Sequence, residues 1–313
     1  EMQDFVDTMR ETLAALGMTE ELSFSFTSEK TLDKLGVPSD SPLRQAIPIM
    51  NPMTDEYPLI RTTLLTSVLE NAARNPARKN MDLRLFDIAP VFFPKALPVT
   101  ELADEKMKVV GLITGRRSPI AWDTNNEMVD FYDMKGIVER FLTAIDVQKY
   151  TVERGEHFAL HPGKTAFFKK GRDVIAVVGE VHPTIAANFG IPQNVYIFEM
   201  DAESLLRYRK KKTSVTQLPK YPASTRDLAI LVDADITTAE IERVIAKKGG
   251  KFFRGATLFD VYMGKQVTEG KKSMAFHLHF QSDDKTLTDE EVDAAFADIL
   301  RAAEEQLHAE LRG

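Results

Sequence analysis

Apolar residues recur along the chain at two spacings, which distinguish helices from strands. Near the start, a spacing of three or four positions predicts an amphipathic helix that ends at Gly17. A second run of this kind predicts a helix after Arg61. The apolar faces of these helices are Phe5, Val6, Met9, Leu13 and Leu16, and Leu64, Leu65, Val68, Leu69 and Ala72. Between them, the alternation of Phe24 and Phe26 with serines predicts a half-buried strand.

Longer apolar runs predict a sheet in the rest of the first two hundred residues. We expect strands at 83–93, 109–114 and 195–206, and two more within 161–183, joined by a Gly-Arg-Asp turn. The only tryptophan, Trp122, falls in a predicted loop. These strands and the helices around them form the first predicted module.

A linker and a new domain are predicted from Leu218 to Asp233, where a proline-punctuated polar stretch leads into a strict apolar alternation. The order that follows is strand, helix, strand, strand, helix and a last short strand, which is the ferredoxin-like order. Both helices begin with the spacing of a capping box. The caps are Thr237 with Glu240 and Thr288 with Glu291.

Strict alternation in the three long strands of this domain assigns each side chain to one face of the sheet. The set expected to pack on the helices is Leu228, Ile230, Val232, Thr257, Phe259, Val261, Met274, Phe276, Leu278 and Phe280. The outward set is Ala229, Leu231, Leu258, Asp260, Tyr262, Ser273, Ala275, His277 and His279. Such a mixture of small, hydrogen-bonding and ring-bearing residues suits an unstacked RNA base on an open sheet. An ordinary solvated face, or one covered by another chain, is the alternative.

Composition and charge exclude several classes of function. With 313 residues, 43% of them hydrophobic, the chain is long enough for two domains with buried cores. Its net charge of -7 excludes a global basic field, so any RNA contact must be a local patch. The absence of cysteine excludes thiol nucleophiles and cysteine-ligated zinc and fits a cytoplasmic protein. No membrane-spanning run or signal-type start is present, and because Glu1 falls within a predicted helix, we expect a truncated piece of a longer protein.

Two groups of basic residues stand out in this acidic chain. From 247 to 272, seven basic residues occur with only two acidic ones, and a patch of this kind suits several phosphates. The seven are Lys247, Lys248, Lys251, Arg254, Lys265, Lys271 and Lys272. The other group, RYRKKK at 207–212, is interpreted as a solvated helix end, with a phosphate-touching hinge as the alternative.

Three patterns that resemble chemical sites have simpler interpretations. Asp130 and Asp133 beside Lys135 fit a helix N-terminus, whose dipole favours acidic residues. His157 and His161 have the spacing of a helical zinc pair, but a Pro-Gly pair follows and no HExxH glutamate intervenes. A near-match to a phosphate-binding loop at 264–273 has the wrong glycine spacing. We therefore predict no catalytic residue and no metal site in this chain.

Four motifs in the last hundred residues resemble one known domain. They are Y-P-A-S-T-R-D-L-A at 221–229, F-D-V-Y-M-G at 259–264, E-G-K-K-S at 269–273 and T-L-T-D-E-E-V at 286–292. In this order they are similar to the ferredoxin-fold anticodon-binding domain that ends the beta subunit of bacterial phenylalanyl-tRNA synthetases. The runs N-P-M-T-D-E-Y-P-L-I-R-T-T-L-L-T-S-V-L-E-N at 51–71, H-P-G-K at 161–164 and G-E-V-H-P at 179–183 resemble the catalytic-like module of the same family.

The resemblance implies an α+β fold class. It places a class II synthetase-like antiparallel sheet module at 1–206, a linker at 207–220 and a ferredoxin-like βαββαβ domain at 221–313. In class II synthetases, a strand similar to 83–93 leads into an Arg-x-Glu pair whose arginine neutralises the ATP α-phosphate. Here Val91 and Phe92 are followed by Phe93, Pro94 and Lys95 instead, and the glycine-rich third motif is missing from 195–206. We therefore expect a non-catalytic scaffold.

The family also implies partners. Its alpha subunit handles ATP, magnesium and phenylalanine, its editing site lies in beta-subunit regions upstream of Glu1, and the intact enzyme contains two alpha and two beta chains. We expect no cofactor in this chain, an alpha subunit packed on the first module, tRNA(Phe) bound by the second, and no membrane contact. The alternative is a protein-protein interaction scaffold that never touches RNA, which the acidic helix around Asp289 to Glu291 favours.

The expected RNA site recognises the guanine that opens the phenylalanine anticodon. A carboxylate matches the two donors on the guanine Watson-Crick edge, so Asp260 is expected to accept both. Tyr262 follows on the same face and supplies a stacking ring, while Ser273 and the backbone at Ala229 complete the floor. The family's anticodon contacts fall on the same four positions by resemblance. The expected phosphate contacts, taken from the basic group, are Lys271, Lys272 and Arg254.

Overall fold

A computed structural model describes residues 1–210, 218–264 and 267–311 of the chain. The chain divides into two compact units, Glu1–Thr213 and Ser214–Gly313. None of the helices within the described residues is long and apolar enough to span a membrane.

The first unit combines helices with a large sheet. Its helices are α1 (Met2–Ala15), α2 (Glu29–Lys34), α3 (Leu65–Arg74), α4 (Phe131–Ala144), α5 (Pro183–Phe189) and α6 (Ala202–Tyr208). Its strands are β1 (Thr19–Glu20), β2 (Phe26–Thr27), β3 (Leu59–Ile60), β4 (Leu83–Phe93), β5 (Asp104–Thr114), β6 (Thr151–Arg154), β7 (Leu160–Lys170), β8 (Asp173–Val181) and β9 (Val195–Asp201). The main sheet has the order β1-β4-β5-β9-β8-β7-β6, and β1 runs parallel to β4 whereas the other neighbours are antiparallel.

Apolar cores cover both faces of this sheet. On one face, Phe86 and Phe198 pack with residues of α1, α4 and α6. On the other face, Leu112 and Ile197 pack with residues of α2, α3 and α5. Strands that are buried on both faces need apolar side chains at successive positions, which explains the near-continuous apolar runs of β5 and β9.

Most elements expected in this unit are confirmed. The first helix is α1 and the helix after Arg61 is α3, each with its apolar face buried. The strand at 83–93 is β4, the strand at 109–114 lies within β5, and the hairpin within 161–183 is β7 with β8. Asp130 and Asp133 form a capping box at the start of α4, so their assignment to a helix N-terminus is confirmed. Both carboxylates also pair with Arg117.

Two expectations for this unit are wrong. The strand expected to reach residue 206 ends at Asp201, whose side chain accepts a hydrogen bond from the Ser204 backbone N–H at 2.8 Å and starts α6. Phe24 does not lie in a strand, and Phe26 belongs only to the two-residue β2. The Phe24 side chain is 83% exposed, and its ring stacks on the ring of Phe26.

The second unit is built on one four-stranded sheet. Its elements are β10 (Ser224–Asp233), α7 (Thr238–Lys248), β11 (Phe253–Tyr262), β12 (Lys271–Phe280), α8 (Asp289–Leu307) and β13 (Glu310–Leu311). The antiparallel strand order β11-β12-β10-β13 confirms the ferredoxin-like arrangement, including the last short strand. Both capping boxes form, at Thr237 and Thr288. The two helices pack on one face of the sheet, so the opposite face carries no helix among the described residues of this unit.

Candidate nucleic-acid interface

Side chains on the outward face of the second sheet form rows that cross the strands. Because directly opposed residues of antiparallel strands share a face, the register identifies these rows. One row contains Ala229, Ala275 and Asp260, and the next contains Leu231, Ser273 and Tyr262. Neighbouring strands are about 4.8 Å apart, so Ala229 and Asp260 lie about 10 Å apart across Ala275. The four residues expected around guanine therefore fall in two adjacent rows.

A β-bulge in β11 changes the expected alternation. Leu258 pairs with Phe276, but Asp260 pairs with the very next residue of β12, Ala275, so Phe259 is an extra residue in β11. An extra residue places two consecutive side chains on the same face and reverses the parity on one side of the bulge.

Because of the bulge, three residues lie on the opposite face of the sheet from the one that alternation predicts, and those expectations are wrong. Leu258 packs against the core, whereas Thr257 and Phe259 contact side chains of the outward face. Beyond the bulge, the outward positions of Asp260 and Tyr262 are confirmed by their pairing. The strand therefore presents Phe259 and Asp260 side by side on one face.

Exposure differs among the residues expected to contact the base. Asp260 is exposed, so a ligand can reach its carboxylate. Ser273 is only 5% exposed and lies at the floor of the face. Ala229 is half-buried, and the Tyr262 ring lies beside Gly264. The face thus combines a reachable acceptor, an aromatic ring and a small polar floor.

Lys271 and Lys272 begin β12, next to these rows. The Lys271 side chain forms an ion pair with Glu310 of β13, and this hydrogen bond raises the pKa of the Lys271 ammonium. Lys272 lies opposite Val232, whose side chain is in the core, so Lys272 has the parity of the helix side. Of this pair, only Lys271 shares the outward face.

The basic group between 247 and 272 does not form a single surface, so that expectation is wrong. Lys247 and Lys248 end α7 and Arg254 lies near the start of β11, whereas Lys271 and Lys272 begin β12. The 10 residues of β11 separate the two ends of the hairpin by about 30 Å. Three further lysines of the two basic groups lie outside the described residues, namely Lys211, Lys212 and Lys265.

A ring cluster lies on the same outward face. The rings of Phe259 and His277 stack with centroids 4.0 Å apart and planes 15° apart. His277 Nδ1 lies 2.6 Å from a carboxylate oxygen of Asp227. Strict alternation assigns Phe259 to the core and therefore hides this cluster, and no residue type in the sequence marks the bulge that creates it.

The two histidines with zinc-like spacing make backbone hydrogen bonds. His157 Nδ1 accepts from the Ala159 N–H at 3.3 Å, and His161 Nδ1 accepts from the Gly163 N–H at 3.0 Å. Burial lowers the pKa of His157 to about 4. Within the part of the chain that the structure describes, no group of three or more His, Cys, Asp or Glu side chains is arranged to hold a metal ion.

In the first unit, a buried ionic group joins β4 to the segment before α3. The Arg61 guanidinium donates to the Ser23 hydroxyl at 2.7 Å and to the Pro90 carbonyl at 3.1 Å, and it lies 3.9 Å from Asp87. Burial raises the pKa of Asp87, and it raises the pKa of Glu21 to about 7. Arg61 is only 1% exposed, so its contacts serve the fold.

The first unit does not fit ATP or magnesium. At the end of β4, where the resemblance to class II synthetases leads us to expect a phosphate-binding arginine, the chain has Phe93, Pro94 and Lys95, and Lys95 pairs with Glu101 at 3.4 Å. Helices and apolar side chains already occupy both faces of the sheet. No step of nucleotide chemistry is therefore assigned to these residues.

Comparison with known families covers both units. The family described as phenylalanyl tRNA synthetase beta chain CLM domain matches residues 1–202, and the ferredoxin-fold anticodon binding domain matches residues 219–312.

Curated relatives match almost the whole chain. The phenylalanine-tRNA ligase beta subunit of Syntrophotalea carbinolica is 40% identical over 98% of this chain and 38% of its own length. That of Clostridium acetobutylicum is 38% identical over 99% of this chain and 38% of its own length. The chain thus spans about two fifths of the relatives that it matches.

A solved structure shares the fold of much of the chain. The crystal structure of pyrrolysyl-tRNA synthetase from Desulfitobacterium hafniense has a TM-score of 0.50 and 12% identity, and it covers 66% of this chain and 68% of its own. At this identity the likeness concerns the fold alone, and it agrees with a class II synthetase-like sheet.

Proposed function

Because the chain belongs to the beta-subunit family of phenylalanine-tRNA ligases, we propose that it is part of such a ligase and that its second unit binds the anticodon of tRNA(Phe). The observation that carries this proposal is the pair of adjacent rows that holds Ala229, Asp260, Tyr262 and Ser273 on one open face. We place the catalytic-like module at 1–206, the linker at 207–220 and the anticodon-binding domain at 221–313.

Recognition of guanine follows from the chemistry of this face. The exposed Asp260 carboxylate accepts from the two donors of the guanine Watson-Crick edge, and the Tyr262 ring stacks on the base. Ser273 and the Ala229 backbone form the floor below it. Adenine, cytosine and uracil each offer only one donor on this edge, so the carboxylate accepts two hydrogen bonds from guanine and at most one from any other base.

Phosphate contacts come from the basic residues at the ends of the hairpin. Lys271 is closest to the base site, but it must exchange Glu310 for a phosphate. Lys272 reaches around the strand end, and Arg254, paired with Asp283 at 3.1 Å, serves a more distant phosphate. Lys271 and Arg254 give up internal ion pairs when they contact phosphates. We therefore expect the affinity for tRNA to depend only modestly on salt concentration.

The first unit scaffolds the alpha subunit in this proposal. Leu22, Phe24 and Phe26 line a shallow cavity of about 200 Å³ and expose apolar surface that the unit itself does not cover. In this proposal ATP and magnesium bind the alpha subunit, as the family resemblance implies, and this chain holds no cofactor. The assembled ligase contains two alpha and two beta chains and acts in the cytoplasm.

The competing function is an interaction scaffold without RNA contact. Acidic residues at the start of α8 favour it in the sequence, but Asp289 pairs with Arg226 and Glu291 pairs with Lys285 in the structure. Part of the acidic charge is thus balanced by neighbouring cations, which weakens the argument for an acidic docking surface.

The experiment measures binding of the chain to a phenylalanine tRNA transcript, and to the same transcript with its first anticodon base changed to adenine, across a salt series. We expect weaker binding after the base change at every salt concentration. Equally weak binding of both transcripts would favour the scaffold without RNA contact, and equally tight binding would show RNA contact that does not recognise the first anticodon base.

A further inference from the structure

The outward face carries a second ring-bearing surface beside the expected guanine site. Phe259 is 50% exposed although it lies within a strand, and its ring stacks on His277 with centroids 4.0 Å apart. A flat, half-exposed aromatic ring on a sheet offers one face to a planar ligand. Phe259 has this exposure because the bulge moves it out of the core.

One hydrogen bond orients the histidine of this surface. His277 Nδ1 lies 2.6 Å from Asp227 Oδ1, and because a carboxylate only accepts, Nδ1 carries the proton. This hydrogen bond orients the imidazole, whose plane stacks on one face of the Phe259 ring. Preorganisation of this kind reduces the conformational entropy that the protein side chains lose when a ligand binds.

The spacing to the guanine site suits a neighbouring base. His277 lies two residues from Ala275 along β12, which corresponds to about 6.7 Å. That distance is about twice the 3.4 Å step between stacked nucleotides, as expected for bases spread over a sheet. Open sheets in RNA-recognition folds stack two or three bases in this manner.

We propose that Phe259, backed by His277, is a second base-stacking position that takes a nucleobase adjacent to the guanine in the same single-stranded loop. The inference rests on the proposed function, because the guanine defines which bases are its neighbours. Phe259 contacts the base, whereas His277 and Asp227 are positioning residues. Since every base has a stacking face, this position supplies affinity without choosing the base.

The test measures binding of the full chain to the anticodon stem-loop of phenylalanine tRNA and to two stem-loops with an abasic nucleotide on either side of the first anticodon base. Phe259→Ala is expected to weaken binding of the intact stem-loop by about 5- to 100-fold. The same substitution is expected to have much less effect on one of the two abasic stem-loops. His277→Ala is expected to weaken binding, and His277→Phe to restore it.

The matched control is Val261→Ala. Val261 is 48% exposed on the same strand but pairs with the core residue Met274, so it lies on the opposite face and its loss leaves binding unchanged. Equal losses for Phe259→Ala with all three stem-loops would show that Phe259 acts only through the fold and would overturn the inference. Unchanged binding by Phe259→Ala, with weaker binding after the guanine is replaced, overturns the inference and leaves the proposed function standing. If replacing the guanine also has no effect, both fail.

Discussion

The ring of Tyr262 lies so close to Gly264 that a Cβ added at Gly264 would fall 2.2 Å from the Tyr262 hydroxyl oxygen. The glycine therefore provides the space in which the stacking ring rests. Gly264→Ala must displace the ring, and because a ring tip moves more easily than backbone, the free energy of unfolding is expected to change little. We predict weaker tRNA binding by about 1–3 kcal/mol. Fluorescence anisotropy and thermal melts measure the two quantities.

The control for this substitution is Gly255→Ala on the same strand. A Cβ at Gly255 would meet no atom within 4 Å, so neither binding nor stability should change. Equal effects of the two substitutions on tRNA binding would show that the position of the Tyr262 ring is irrelevant.

Removal of the Tyr262 ring itself is expected to weaken tRNA binding. Tyr262→Ala loses a stacking platform, which costs about 1–3 kcal/mol at fixed salt, whereas Tyr262→Phe keeps the ring and most of the affinity. Titration of both variants with one transcript gives the comparison. Unchanged affinity of Tyr262→Ala would rule out the stacking role.

The stability of the first unit is expected to depend on Glu21. Burial, opposed by a hydrogen bond with Asn71 and assisted by the nearby Asp87, raises the pKa of Glu21 from 4.5 to about 7, and the charge of Arg61 limits the rise. Between about pH 4.5 and 7 the folded protein therefore holds a proton that the unfolded chain has released, so the free energy of unfolding falls as pH rises through this window. Above about pH 7 this loss is complete.

Glu21→Gln should abolish that loss. The free energy of unfolding of the variant, compared with that of the unaltered protein, should therefore rise by on the order of 1–3 kcal/mol between pH 4.5 and pH 8. His157, with its pKa lowered to about 4, contributes the opposite slope between about pH 4 and 6.5 in both proteins, so the difference between them isolates Glu21. Urea melts at several pH values measure it. Parallel pH profiles for the two proteins would refute the assignment.

Arg61 is expected to be among the costliest residues to replace. Arg61→Met leaves Asp87 buried without its cation and the Ser23 hydroxyl without its donor, which should cost about 3–5 kcal/mol in urea denaturation. Arg10→Met, which removes a half-exposed pair with Glu20, should cost less than about 1 kcal/mol. Similar costs for the two variants would contradict the buried role.

Where strands are regular, the alternation of apolar residues was sufficient to predict which side chains lie in the core. Leu228, Ile230 and Val232 lie in the core as predicted, because β10 pairs with β12 without interruption. The prediction failed at Phe259, since a bulge depends on how two strands pair and not on the residue types of one. It failed at Asp201 for a different reason, because a local helix cap competed with an apolar run that continues into α6.

The basic group shows the limit of reasoning from sequence distance. Arg254 and Lys271 belong to one basic group in the sequence, yet Arg254 lies near the start of β11 and Lys271 begins β12, at opposite ends of the hairpin. By contrast, Asp260, Tyr262 and Ser273 lie in adjacent rows of one face, because Tyr262 pairs with Ser273 across the hairpin and Asp260 pairs with Ala275 in the next row.

The most direct test of the account is a double-mutant cycle between Asp260 and the first anticodon base. The tRNA carries either guanine or inosine, which lacks the exocyclic amine, and the protein is either unaltered or carries the substitution Asp260→Asn. Inosine should weaken binding to the unaltered protein by about 1–3 kcal/mol but should have little further effect on the Asp260→Asn variant. Strictly additive losses would show that Asp260 does not accept from the guanine, and would contradict the proposed anticodon site.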